Sequence, residues 1–361
     1  MNLRWQKWAA LAAALVLASC GGGDAGDQKP RVTFSTLVSF GDSLSDLGTH
    51  NVGTVAGLGA ATGGAGRWTV NSAAGGEMWT ERLAAVLGVP KPCPAETGLL
   101  PNIPGITGAA VTAKAGCFSY AQGSARIQSP LGPNSVALQA FGQFTLGLLA
   151  KPVQAQMAAH LAAIGGAYAG TELVVVMAGA NDVFMELVLT APTSPTQAVT
   201  NVAAAGAALG QLIKTQVIAK GAKRVLVLNV PDVAGTPFGR TLDAQTRGLV
   251  DTMVQQFNAQ LASQLNGVPE VRLGDAYTVS KDQAANPSAY GLSNVTGVAC
   301  GPNALSNPPT SNGTSLVCNA SNKVAGDISR YQFADDVHPS PYGHQLLSQF
   351  AARELAQAGW L

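Results

Sequence analysis

The chain has 361 residues, enough to bury a substantial core in one large domain or two. Only 11% of its residues are charged, against roughly 25% in an average soluble domain, and 21 basic against 20 acidic residues leave a net charge of +1. No basic patch or charge run is present, which argues against nucleic acid or an electrostatic membrane surface as partner.

The N-terminus has the composition of a processing signal. Arg4 and Lys7 precede the apolar run Ala9–Ala18, which is too short to span a bilayer. The run ends in Leu17-Ala18-Ser19-Cys20, followed by Gly-Gly-Gly-Asp. This resembles a bacterial lipoprotein signal, in which Cys20 becomes the lipidated first residue of the mature protein; the alternative is an ordinary signal peptide cut near the same place. The expected division is a signal over residues 1–20, a flexible tether over 21–33 and one domain over 34–361. Four further cysteines, Cys93, Cys117, Cys300 and Cys318, are an even set in an exported chain and predict disulfides. Three pairings are open. The local one, Cys93–Cys117 with Cys300–Cys318, is the simplest because each pair brackets a Pro/Gly/Asn-rich loop. Without C-x-x-C spacing or an adjacent histidine, the cysteines do not read as a zinc site, and no metal is expected.

Thr36–Phe40 is short, apolar and β-favouring, and reads as a buried strand running into Gly41-Asp42-Ser43. His50–Gly66 is glycine-rich and reads as irregular, and Glu77–Leu87 as a helix with one apolar face. Residues 90–116 read as a long stapled loop and Cys117–Ala121 as a second strand, closed by Gln122-Gly123-Ser124. A helix is predicted over Pro152–Ile164. Glu172–Ala178 has the unbroken apolar pattern of a buried parallel strand and ends at Gly179-Ala180-Asn181-Asp182. An Ala-rich helix over Thr196–Ala219 precedes a like strand, Arg224–Val230, then a helix over Leu242–Leu265 and a short strand at Val271–Leu273. Residues 284–326 read as a second stapled loop, and Tyr342–Ala358 as a closing amphipathic helix. Strands separated by helices predict a doubly wound α/β domain.

Three polar clusters each follow a predicted strand: Gly41-Asp42-Ser43, Gln122-Gly123-Ser124 and Gly179-Ala180-Asn181-Asp182. In a parallel sheet they share the carboxyl edge, where open α/β sheets collect ligands. A fourth cluster, Asp335-Asp336-Val337-His338-Pro339, lies near the C-terminus. An Asp three residues before a His can return its carboxylate to Nδ1 and leave Nε2 facing a serine. That supplies nucleophile, base and orienting acid in the order Ser43, Asp335, His338. A tetrahedral oxyanion needs preorganised donors, for which the Ser43 and Gly123 amides and the Asn181 side chain are candidates. Asp336 has the wrong spacing to His338. His160 and His344 read as structural, as does His50, for which lining the pocket is the alternative. Asp42, Asp46 and Asp182 read as turn-ordering groups.

In these blocks the chain resembles the GDSL esterases and lipases, also called SGNH hydrolases: Phe40-Gly41-Asp42-Ser43-Leu44-Ser45-Asp46, the block around Gly123, Gly179-Ala180-Asn181-Asp182, and Asp335-Asp336-Val337-His338-Pro339 occur in order. Gly66-Arg67-Trp68-Thr69 followed by Trp79 resembles the G-R-[FW]-[ST] segment of larger members. The resemblance covers roughly residues 36–350 and implies a three-layer α/β/α, flavodoxin-like fold around a parallel sheet of about five strands. It further implies ester hydrolysis through Ser43, His338 and Asp335, with Gly123 and Asn181 as oxyanion donors and no cofactor. A G-x-S-x-G hydrolase is disfavoured because Ser45 stands where its second glycine would be. An acyltransferase or a phospholipase or lysophospholipase would use the same site, and a non-catalytic envelope binding protein is a reading of another class. The expected partner is a small-molecule or lipid ester, with no nucleic acid, and the chain is expected to be a monomer held to the cell envelope through Cys20 or secreted.

Overall fold

The computed structural model describes residues 32–60, 64–72, 77–306 and 312–361. The predicted signal, Cys20 and all but the last two residues of the tether lie outside the described residues. In chain order the elements are β1 (Leu37–Gly41), α1 (Gly53–Ala60), α2 (Trp79–Leu87), β2 (Glu96–Leu99), β3 (Ala109–Ala113), α3 (Val153–Ala163) and β4 (Leu173–Met177). They continue with α4 (Ala180–Leu189), α5 (Pro195–Leu212), β5 (Val225–Leu228), α6 (Pro237–Thr241), α7 (Ala244–Leu265), β6 (Val271–Gly274) and α8 (Ala276–Ala285). The last three are β7 (Asn294–Val298), β8 (Tyr331–Phe333) and α9 (Pro341–Gln357).

The main sheet is parallel throughout, in the order β1-β4-β5-β6. Its strands are apolar at nearly every position because helices cover both faces. Val38, Phe40, Val174, Val176, Val225 and Val227 face a layer built from α3, α4, α5 and α7. The alternate residues Leu37, Leu173, Val175, Met177, Leu226 and Leu228 face α2, α8 and α9. This period of two, with helices on each side, is the three-layer α/β/α architecture. The predicted second strand is shorter than expected. Phe118–Gln122 runs beside β1 through one parallel bridge, Ser39 to Ser119, and three backbone hydrogen bonds. The sheet therefore has four full strands and a frayed fifth at its edge.

Helix α5 continues through a π turn and a 3₁₀ turn to Lys220. The segment Pro195–Lys220 is long and apolar enough to cross a membrane, yet it is packed along α7. A Cβ at Gly206 would lie 2.3 Å from the Phe257 carbonyl oxygen and one at Gly210 would lie 2.4 Å from the Gln264 Cβ, so both glycines permit the close approach of the two helices.

The two segments read as loops contain more structure than their composition indicated. The first holds the antiparallel pair β2–β3, and the second holds β7, which pairs in parallel with β8. His50–Gly66 includes α1, and α4 begins directly at the Gly179 turn, an element the sequence reading missed. Disulfides join Cys93 to Cys117 and Cys300 to Cys318, the local pairing.

Candidate active site

Strand β1 ends at Gly41 in register with Met177 of β4, and the chain then turns into a single 3₁₀ turn, Ser43–Ser45. Asp42 caps that turn by accepting the Leu44 N–H at 3.0 Å. Gln156 of α3 braces it from behind: its Oε1 accepts the Gly41 N–H at 2.9 Å and its Nε2 donates to the Gly41 carbonyl at 2.8 Å. The serine is thus presented at the carboxyl edge, between β4 and the frayed edge segment. That is the place where the strand order reverses and ligands bind in such sheets.

Asp335 and His338 follow β8. His338 Nδ1 lies 2.8 and 2.9 Å from the two Asp335 carboxylate oxygens, and Nε2 lies 2.8 Å from Ser43 Oγ. The Asp335 oxygens also accept the amides of Ser315 (2.8 Å), Val337 (3.1 Å) and His338 (2.8 Å). Burial alone would raise the Asp335 pKa, but the facing imidazole and these donors hold its carboxyl well below the usual carboxylate range. An ionised Asp335 only accepts, so the imidazole proton resides on Nδ1 and Nε2 is left to accept from the serine.

The donors expected around an oxyanion are arranged differently from their sequence order. Asn181, in the first turn of α4, gives one amide hydrogen to the Ala125 carbonyl at 3.0 Å, and the other has no acceptor among the described residues. The Ser43 amide has no acceptor among the described residues. Gly123, however, donates its N–H to Asp46 Oδ2 at 2.8 Å, and a Cβ there would meet the Trp68 ring at 2.5 Å. The backbone at Gly123 thus packs under the Trp68 ring. The next amide, of Ser124, has no acceptor among the described residues, and Ser124 lines the cavity. Ser124 sits at φ 69°, a left-handed conformation that costs a residue bearing a Cβ. A non-glycine residue at a turn after a frayed strand carries no sequence signal that its amide is left without an acceptor.

Asp46 organises what lies beneath the site. It accepts from the amides of Gly48 and Thr49, from Gly123, and from Trp68 Nε1 at 3.4 Å, and His50 Nδ1 lies 3.3 Å away. Burial works against its charge, but the His50 contact and these donors hold its pKa below the ordinary value. His50 is fully buried, and its Nε2 accepts the Leu149 amide, so it supports the site from behind and does not line the cavity. Asp182 is paired with Arg126 at 3.0 Å and accepts the Ile127 amide, which ties α4 to the turn carrying Ser124. Burial pushes Asp42 up to about 7. Asp336 faces Asn312 and does not touch His338 Nδ1. His344 is buried, with Nε2 3.5 Å from the Trp68 carbonyl, and His160 sits among the rings of Phe40, Phe118, Tyr120 and Tyr168. Burial pushes these two imidazoles down to about 3 and about 4.

Trp68, from the G-R-W-T segment, lays its ring 4.8 Å from that of His338 at an interplanar angle of 32°. The segment is tied to the loop that supports Asp335. Gly66 N–H donates to the Leu316 carbonyl and Asn71 N–H to that of Cys318, while Asn71 Nδ2 reaches the carbonyls of Ser315 and Cys318. Ser43, Ser124, Asn181, Asp335 and His338 all open onto one cavity of about 1010 Å³. A smaller cavity of about 460 Å³, lined by Asp232, Arg240, Arg247, Asp251 and Lys281, contains none of them.

The fold and this relay define a doubly wound α/β protein with a buried, base-paired serine at its switch point. The chain belongs to the GDSL-like lipase/acylhydrolase family, whose profile matches residues 37–350. Two GDSL esterases/lipases of Arabidopsis thaliana are 28% identical over 140 residues and 25% identical over 153. Those alignments take in 36% and 39% of this chain and 37% and 40% of the plant proteins, so the chain spans less than half the length of these relatives. Among solved structures, an acetylxylan esterase of Geobacillus stearothermophilus aligns over 91% of this chain and 96% of its own, at 14% identity and a TM-score of 0.37. A phospholipase A1 of Streptomyces albidoflavus aligns over 89% of this chain and all (100%) of its own, at 14% identity and a TM-score of 0.42.

Proposed function

We propose that the protein is a carboxylester hydrolase acting through an acyl-enzyme on Ser43. The observation that carries this reading is the 2.8 Å contact between Ser43 Oγ and His338 Nε2, with Nδ1 held on an ionised Asp335 at the mouth of the larger cavity. Ser43 Oγ attacks the ester carbonyl as its proton passes to Nε2. The tetrahedral oxyanion is received by the amides of Ser43 and Ser124 and by Asn181 Nδ2, each such donor typically contributing about 2.7–4 kcal/mol. The C–O bond then breaks and the imidazolium returns the proton to the departing alkoxide. Water, deprotonated by the same nitrogen, releases the acid and restores the serine.

The experiment is hydrolysis of 4-nitrophenyl acetate by the parent and by Ser43→Ala, with folding checked by circular dichroism. Turnover by the parent and its loss in the variant support the reading, and equal turnover by a folded Ser43→Ala protein overturns it. On this reading the substrate is a small-molecule or lipid ester met outside the cytoplasm. The Cys20 signal supports a lipid anchor at the cell envelope, and the mass of the mature N-terminal peptide tests it. An unmodified or absent Cys20 would leave a secreted enzyme.

A further inference from the structure

The cavity at Ser43 is far larger than an acetyl group, and its walls are unlike one another. We propose that one face of α4 is an acyl-chain track and that the substrate is a medium- to long-chain acyl ester. This deepens the reading of Ser43 as the nucleophile and rests on it.

Asn181, Phe184, Met185 and Val188 fall at i, i+3, i+4 and i+7, one face of the helix, and all four line the cavity. A helix rises about 1.5 Å per residue, so this face leads from the oxyanion donor outward over about 10 Å. It is apolar beyond Asn181. The acidic residues of α4, Asp182 and Glu186, point away to Arg126. Leu131, Leu138 and Leu146 also line the cavity. Phe184 is held by an edge-on contact with Phe238, centroids 5.4 Å apart at 89°.

At the far end of α4, Val188 is 68% exposed and Leu189 52%, and Phe141, from another segment of the cavity wall, is 66% exposed. All three line the cavity, so this apolar rim continues the track. Exposed apolar patches of this kind mark binding surfaces.

The chemistry sets which part of an ester lies here. The leaving oxygen must take its proton from His338 Nε2, which places the alcohol on the His338 side, where Asn312, Thr314 and Asp336 supply polar lining. The acyl group is attached to the carbonyl whose oxygen Asn181 receives, and α4 leads away from that point. Single bonds near 1.5 Å advance an extended chain by about 1.3 Å per carbon, so the track takes roughly eight carbons before the chain reaches the rim. Each methylene buried against it is worth a factor of about four.

The test measures kcat/KM for 4-nitrophenyl esters from acetate to dodecanoate, each kept monomeric in solution, with the parent, Met185→Trp and Val188→Glu. In the parent, kcat/KM rises about fourfold per carbon, roughly sixteenfold per two carbons, and levels off near the octanoate to decanoate esters. Met185→Trp, close to Asn181, moves the break to short acyl chains. Val188→Glu lies on the surface and leaves the fold undisturbed; it lowers the dodecanoate-to-acetate ratio tenfold or more. Acetate as the best substrate, a flat profile, or equal losses at all acyl lengths in Val188→Glu would overturn the track. A chain-length effect seen only when the alkyl group is placed in the alcohol would overturn it too. The two readings fail differently: acetate hydrolysis that survives Ser43→Ala removes the nucleophile, whereas Ser43-dependent hydrolysis with a flat acyl profile removes only the track. Binding of dodecanoate to Ser43→Ala, weakened by Val188→Glu, reads the track without turnover, and no binding overturns it.

Discussion

The two halves of the site are held by different physics. Ser43, Ser124 and Asn181 follow the ends of adjacent parallel segments, and β1–β4 register with two buried faces positions them. Asp335 and His338 follow β8, a three-residue strand outside the main sheet. Their loop is closed locally, by the Ala334 N–H donating to the His338 carbonyl at 2.7 Å and by a Phe333–Pro339 bridge. It is then braced by a polar frame: the Cys300 N–H donates to the Ala334 carbonyl, Ser315 donates to Asp335, and Asn71 gathers the Ser315 and Cys318 carbonyls. A sheet tolerates the loss of one contact because its register is repeated along every strand. A loop held by a few polar contacts has no such redundancy, and chemistry that needs sub-ångström placement feels each loss.

The sharpest break of the comparison is Asp335→Asn. It keeps the side-chain shape but turns one of the two oxygens facing Nδ1 into an amide donor and removes the charge, so the Nδ1 proton is no longer fixed, and kcat for a simple ester should fall about 10⁴-fold. A decrease of less than tenfold would show that the relay does not depend on this carboxylate.

The disulfides sharpen it next, one standing in each half. Cys93–Cys117 lies at the start of the edge segment, and Cys300–Cys318 closes the frame around Asp335. Loop closure predicts a similar stability loss of about 3 kcal/mol for either paired Cys→Ala replacement. Activity should separate them: kcat falls roughly tenfold for the Cys300/Cys318 pair, since a small displacement of reacting groups is costly, and changes little for the other. Denaturant melts and kcat below the transition measure both effects. Equal losses of kcat would dissolve the distinction between the halves.

A smaller effect is the pH dependence of stability. His160 and His344 are buried and titrate near 4 and 3 in the folded protein, below about 6.5 in the unfolded chain. Between those values the unfolded chain binds protons that the folded one refuses, so each contributes stability that is present above pH 6.5 and lost as the pH falls toward 4. His160→Phe keeps a ring among Phe40, Phe118, Tyr120 and Tyr168, and should flatten the rise of Tm between pH 4 and 6.5 without moving kcat. An unchanged slope would place the titration elsewhere.

The smallest is Ser124→Gly. It relieves a left-handed backbone at φ 69° and should add about 1 kcal/mol of stability. Activity should be kept, because the proposed donor is a backbone amide. A large loss would assign the hydroxyl a part in binding.

Much of this was legible in the amino-acid order. The buried strands, the helix-covered parallel sheet and the Asp335-x-x-His338 spacing follow from short-range rules: apolar runs, periodicity, turn residues and reach; the cysteine pairing, left open among three, is the local one in the structure. What those rules missed depends on neighbours distant in the chain. Helix α4 begins inside a Gly-Ala-Asn-Asp cluster that reads as a turn, and it is secured by Arg126 some sixty residues earlier. The pairing of β7 with β8 spans a loop that is rich in Asn, Ser, Pro and Gly and reads as irregular. Glycine at 123 suggests a donor because it lets a backbone approach; the fold uses that room for Trp68 and turns the amide to Asp46, while the next amide has no acceptor among the described residues. Sequence alone determined which chemical groups are present and which strand ends carry them. Only tertiary structure decided which amide is left unpaired and which helix face meets the cavity, since both are settled by groups that compete for the same space.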